Sequence, residues 1–446
     1  MLKLNFTWYF LAVVNINLIA YSSPVEKMIE NNTELISYIE ELNYNGIISV
    51  RKGNETLIDK AFGVKNIVTQ EKLVMADRFQ IGSITKQFVA AGILKLIEEN
   101  KISLSDQVSK FIPAFLNLEP MTIKNLLNHA SGLVNFTEIE NFWELATSGK
   151  LNTDDDLINL SLSFPLKFKP GSEYKYSNTN YIVAGRIIEI VSGEPWINFI
   201  KIKLLNPLNM TNTGYESKFS KASEVSGHIK NSEGQFEVFP DFELRWASAA
   251  GGIYSTAEDM QKWCNIYSNA NILSVDSKKE FLTPYLNNYA LGVKVLRAPN
   301  MTRVFHDGKT PGFGATLDYL IEKDLCIVTF NNFDGNIILN EVLYSFFTNG
   351  KFFKLKNKKA EDSIINFQDF YGYYEGSKLK INVYSKDDNL IFFPEGQKEF
   401  TLLHVDKDSF VLPNIFGDEF LRDENGKVYA IKHYQNGTVS VFKKVQ

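Results

Sequence analysis

Ser83 and Lys86 stand three residues apart, a spacing that lets a hydroxyl and an amine share one face of a helix. A serine hydroxyl is a weak nucleophile until a base takes its proton, and lysine can be that base only when neutral. Free lysine titrates near about 10.4, and burial among apolar neighbours disfavours its charged form. The same pattern recurs at Ser49/Lys52, Ser172/Lys175, Ser377/Lys380 and Ser440/Lys443. Three of those pairs lie in strand-like sequence, where residues three apart point to opposite faces, and Ser172 lies in a loop. Only Ser83 opens a helix, so its backbone NH also stands at the positive end of the helix dipole, where an oxyanion would form.

Two further groups could join this pair. Among four Tyr-x-Asn matches, Tyr176-Ser177-Asn178 follows the turn Pro170-Gly171 and immediately precedes a helix, so it sits on a short loop with a rigid support. There a phenol could act as phenolate or proton shuttle, and Asn178 could donate to a substrate carbonyl. His306-Asp307-Gly308 is the sole His-x-Gly and closes a strand. Gly308 permits close approach of substrate, His306 is expected to contact it, and the Lys309 NH would complete an oxyanion hole with that of Ser83.

Ile47–Val50 and Thr56–Phe62 form a strand pair around Lys52-Gly53-Asn54. The helix from Ser83 to about Asn100 is apolar on nearly every side (Phe88, Val89, Ile93, Leu94, Leu96), which predicts burial inside the domain. Residues 122–205 are mostly helical in period, with a helix at Tyr181–Val191 and another at Glu258–Tyr267. Strands return at Ala290–Leu296, Thr302–His306, Ala315–Ile321 and Leu325–Phe330, and a helix at Ile337–Phe347 follows. Strands at both ends and helices between predict an α+β domain, an antiparallel sheet flanked by helices with an all-helical lobe. Beyond it, short alternating segments with regular turns predict a small C-terminal antiparallel β-barrel. The expected organisation is a signal peptide at 1–22, a hydrolase domain at 23–350, a lysine-rich linker at 351–360 and the barrel at 361–446.

Lys3, the apolar stretch Phe6 to Ala20 and the small residues Ala20 and Ser22 predict cleavage and secretion, extracellular or periplasmic according to the host, rather than a stable membrane span. A net charge of −5, with no Lys/Arg-rich stripe, excludes a nucleic-acid partner and leaves a small-molecule or peptide substrate. Five scattered histidines lack ligand spacing, so no metal or cofactor is expected, and no Gly-x-Ser-x-Gly elbow is present. Cys264, in a helix, and Cys326, in a strand, read as two separate buried thiols. Seven sequons follow the expected signal, at Asn31, Asn54, Asn135, Asn159, Asn209, Asn300 and Asn436, and are weak signals in so Asn-rich a chain.

Gly82-Ser83-Ile84-Thr85-Lys86, Tyr176-Ser177-Asn178 and His306-Asp307-Gly308, in that order, resemble the three motifs of the serine beta-lactamase-like, penicillin-recognising family. Leu126–Leu133, Pro170–Gly185, Gly251–Met260 and Pro311-Gly312-Phe313 match as flanking stretches, and the likeness covers roughly residues 40–348. The tail resembles the lipocalin-like barrel of some members. The resemblance implies a beta-lactamase/transpeptidase-like fold and an acyl-enzyme on Ser83, with Lys86 and Tyr176 carrying protons. Asn178 and the third-motif strand would hold substrate. The third motif is His-Asp-Gly rather than the Lys-Thr-Gly of class C beta-lactamases, the form similar to peptidases, esterases and amidases. The competing expectation, a secreted binding or scaffolding protein without turnover, is separated from this one by a panel of ester, peptide and beta-lactam substrates.

Overall fold

The computed structural model describes residues 24–219, 223–240, 245–268, 271–298, 300–333, 338–349, 367–376, 379–386, 389–396, 399–406, 408–412, 416–435 and 438–445. The expected signal at 1–22 and linker at 351–360 lie outside them. Six strands build the main sheet: β1 (Gly46–Lys52), β2 (Glu55–Phe62), β3 (Lys294–Ala298), β4 (Met301–Thr310), β5 (Phe313–Leu320) and β6 (Leu325–Asn331). Their order is β2-β1-β6-β5-β4-β3, all neighbours antiparallel, so the two ends of the domain meet where β1 pairs β6. This is the predicted α+β arrangement.

Both faces of the sheet are covered, which explains why β5 and β6 are buried at every residue and read as continuous rather than alternating apolar runs. Ile48, Val50, Leu325 and Ile327 pack with Leu35 and Ile39 of helix α1 (Pro24–Glu41) and Leu339 and Leu343 of helix α6 (Ile338–Asn349). Ile47, Leu317, Val328 and Phe330 face the larger core, whose centre is helix α2 (Thr85–Glu98). Phe88, Val89, Ile93, Leu94 and Leu96 of α2 are at most 1% exposed. Each such side chain contributes about 1.5–3 kcal/mol, which sustains the burial of a lysine amine on the same helix. Helix α3 (Thr179–Ser192) packs on α2 within the helical lobe and ends on Gly193 at φ +75, the left-handed cap that glycine favours, ahead of the short helix α4 (Trp196–Ile200).

Two expectations are corrected here. The segment 290–293 is not strand: Gly292 turns at φ +76 with its Cα against the backbone of Lys86, where a Cβ would lie 2.6 Å from Lys86 O, and β3 begins only at Lys294. Nor are the cysteines separate. Helix α5 (Ala257–Cys264) lies across β1 and β6, with Gln261 Nε2 donating to Ser49 O (3.0 Å) and Cys326 O (3.4 Å). That packing brings the Cys264 and Cys326 Cα atoms to 6.3 Å, and the two residues are disulfide-bonded. Their separation of 62 residues hid the contact.

The C-terminal unit is a closed antiparallel barrel of eight sequential strands: Gly372–Glu375, Lys380–Lys386, Asn389–Pro394, Phe400–Asp406, Ser409–Leu412, Phe416–Arg422, Val428–Gln435 and Thr438–Val445. The last strand closes on the first at Tyr373–Val445. Phe370, Tyr374, Phe392, Phe410, Phe420 and Phe442 form its core with Ile381, Val383 and Ile431. Such aromatic filling makes the interior a packed core rather than a cavity.

Candidate active site

Ser83 does not open the α-helix directly, as expected, but sits in the 3₁₀ turn Gly82–Ile84 that leads into α2. Close packing against β4 sets that turn. Gly82 adopts φ +51, where a Cβ would lie 2.4 Å from Lys309 N, and a Cβ on Gly308 would lie 1.9 Å from Ile81 O and 2.9 Å from Ser83 N. Glycine is required at both positions. Residues Pro311 and Gly312 form the two-residue loop between β4 and β5, closed by the Thr310–Phe313 pair. In such a hairpin hydrogen-bonded and non-bonded pairs alternate, so the Lys309 NH points away from β5, toward the Ser83 turn.

Lys86, the second residue of α2 and one turn on from Ser83, is fully buried. Its Nζ lies 2.9 Å from Ser83 Oγ, 2.8 Å from Asn178 Oδ1 and 2.6 Å from Ala250 O. None of these partners carries a charge. Burial therefore pulls the amine well below its ordinary lysine value, opposed only weakly by the Asp307 carboxylate. A neutral amine has two N–H donors and one lone pair. Asn178 Oδ1 and Ala250 O, acceptors only, take the donors, which leaves the lone pair for the Ser83 hydroxyl proton.

Tyr176 Oη donates to Ser83 Oγ from its other side at 2.8 Å. Burial raises the phenol, so it rests neutral, as a proton carrier rather than a phenolate. Asn178 begins α3 and also receives the support of Asn135, whose Oδ1 accepts from Asn178 N at 3.1 Å. The Asn135 sequon is thus part of the interior, 7% exposed.

The ring of His306, 3% exposed, meets Tyr289 Oη through Nε2 (2.9 Å) and Asp307 O through Nδ1 (2.6 Å). Both nitrogens are engaged within the protein, and the side chain braces β4. Burial lowers it to about 4, keeping it neutral. Burial also works against ionisation of Asp307, while Lys294, 3.6 Å from its Oδ1, and a backbone N–H hold that carboxyl below its ordinary value. Ser83, Lys86, Tyr176 and Asn178 are brought together, Gly308 and Lys309 line the turn through their backbones, and His306 stands behind them. Sequence reasoning missed Ala250 O and the Asn135 brace: a carbonyl has no residue-type signature, and Asn135 was visible only as a sequon. Among the described residues no His/Cys/Asp/Glu cluster could hold a metal, and no helix is long and apolar enough to cross a membrane.

The family model for Beta-lactamase matches residues 36–337. The chain is 29% identical over 338 residues, 75% of its length and 80% of the relative's, to PbpX of Bacillus subtilis (strain 168), a protein described as penicillin-binding. Among solved structures it resembles the octameric penicillin-binding protein homologue from Pyrococcus abyssi, with a TM-score of 0.66 at 24% identity, covering 93% of this chain and 99% of that one. It also resembles a D-stereospecific amidohydrolase from Streptomyces sp., with a TM-score of 0.62 at 21% identity, covering 73% and 99%.

Proposed function

Because the chain belongs to the Beta-lactamase family, we propose that it is a secreted serine hydrolase that forms an acyl-enzyme on Ser83 with peptide, ester or amide substrates. The observation that supports this reading is a buried, charge-uncompensated lysine amine 2.9 Å from a serine hydroxyl that a tyrosine contacts at 2.8 Å. Ser83 Oγ attacks the substrate carbonyl carbon and its proton passes to Lys86. The NH groups of Ser83 and Lys309 receive the developing oxyanion. As the scissile bond breaks, the leaving nitrogen or oxygen takes a proton from Tyr176, which Lys86 restores. Water then repeats the sequence on the acyl-enzyme, with Lys86 again the base, and releases the acid.

The His-Asp-Gly third motif and the likeness to a D-stereospecific amidohydrolase favour D,D-peptidase, esterase or amidase activity over efficient beta-lactam hydrolysis. Export rests on the apolar stretch Phe6 to Ala20. A fluorophosphonate or fluorescent penicillin probe should label the wild type and leave Ser83→Ala unlabelled; equal labelling of the two ends this assignment.

A further inference from the structure

His129 is fully buried and holds its backbone at φ +59, a left-handed conformation uncommon for any residue but glycine and unfavourable without a reason. It lies one residue before Ala130-Ser131-Gly132, on the loop that grips the Tyr176–Asn180 turn. The hydrogen bonds of this grip run in one direction, set by backbone NH groups. Leu133 N–H donates to Ser131 Oγ (3.0 Å), and Ser131 Oγ–H therefore donates to Asn180 Oδ1 (2.6 Å). With its oxygen so used, Asn180 presents Nδ2–H to His129 Nδ1 (3.2 Å). Ser177 N–H, an obligatory donor, also points at His129 Nδ1 (3.2 Å). Nδ1 is thus an acceptor twice over, and the ring proton must reside on Nε2.

Nε2 is buried without a hydrogen-bond partner. Around the ring stand Tyr176 at 4.2 Å, Tyr289 at 4.6 Å, Tyr181 at 5.4 Å and Tyr174 at 6.0 Å between centroids. A second proton would place a cation among these rings, and burial, with the ammonium of Lys294 nearby, holds the imidazole well below its ordinary value. Tyr289 in turn bonds His306 on β4. One imidazole thereby touches the ring of Tyr176 and the ring that anchors the third-motif strand.

We infer that His129 is a positioning residue for the acyl-transfer site, locked as the neutral Nε2–H tautomer, that sets the Tyr176 phenol against Ser83 and ties the Tyr176–Asn178 turn to the His306–Gly308 strand. It rests on the serine-hydrolase reading for its kinetic consequence but not for its tautomer. A phenol displaced by about 1 Å costs on the order of 100-fold in rate, so the lock acts on the acylation step and not on substrate affinity.

Two measurements test it. In wild-type protein labelled with ¹⁵N-histidine, with the His129 resonances identified by substituting each of the other four histidines in turn, His129 should show a protonated Nε2 and an unprotonated Nδ1, unchanged between about pH 5 and pH 9. A proton on Nδ1, or titration in that range, overturns the inference without touching the hydrolase assignment. His129→Asn keeps an acceptor near the Nδ1 position and tolerates the left-handed backbone, but lacks the ring. Its fluorophosphonate labelling rate and its kcat for p-nitrophenyl acetate should fall about 10- to 100-fold, with KM and Tm close to wild type. Wild-type rates in this variant refute the positioning role. Loss of folding in the variant leaves the tautomer measurement on the intact enzyme to decide, and labelling of Ser83→Ala would instead refute the hydrolase reading alone.

Discussion

Among the described residues an arginine and a lysine are buried in this domain, and they are treated in opposite ways. Arg303, on β4, is 2% exposed and surrounded by carboxylates: Asp318 accepts from its Nε and Glu341 from its Nη2 at 2.7 Å, while the rings of Phe305 and Tyr344 flank the guanidinium at 4.6 and 4.0 Å. Burial opposes its charge, but the two carboxylates outweigh it and raise the guanidinium above its ordinary value. Lys86 is equally buried and meets only a hydroxyl, an amide oxygen and a backbone carbonyl. The first arrangement keeps a proton in place and joins β4 and β5 to helix α6; the second removes a proton and creates a base. What separates structure from reactivity is not burial but the presence of a counter-charge.

Breaking the contrast at the site has the largest expected effect. Lys86→Arg restores a permanent cation, and the labelling rate of Ser83 should fall by about 1,000-fold or more while the protein stays folded by circular dichroism. At the other pole, Asp318→Asn leaves Arg303 short of a fully buried partner, and denaturant unfolding should show a loss of about 3–5 kcal/mol with kcat per folded molecule unchanged. Asn178→Asp would give Lys86 the counter-charge it lacks. The amine's pKa should then rise by about 1–3 units, and since the base works deprotonated, the acid limb of the pH–rate profile should move to higher pH by the same amount. Glu341→Gln sharpens the scale from below: Glu341 is partly exposed, and its removal should cost only about 1 kcal/mol, read in the same unfolding experiment.

Much of the site was legible because its chemistry is local. Ser83 and Lys86 occupy one helical turn, and Tyr176 with Asn178 one loop, so residue type and spacing carry the signal. The sheet was legible for a similar reason, since apolar runs of strand length bracket a helical middle. What escaped notice depends on distant segments meeting. The Ala250 carbonyl reaches Lys86 across 164 residues, the disulfide needs α5 to lie across β6, and Gly292 ends a strand pattern only because Lys86 is beside it. Nothing in the sequence neighbours of His306 reveals Tyr289, which bonds its ring. Apolar periodicity does not say which buried polar group finds which partner.

The central claim is that Lys86 rests without its proton, and its side-chain nitrogen reports this directly. In protein labelled with ¹⁵N-lysine and assigned through Lys86→Arg, this Nζ should titrate well below the exposed lysines and be a neutral amine at the pH where Ser83 reacts fastest. An Nζ that titrates together with the exposed lysines, charged wherever the enzyme is active, contradicts the account.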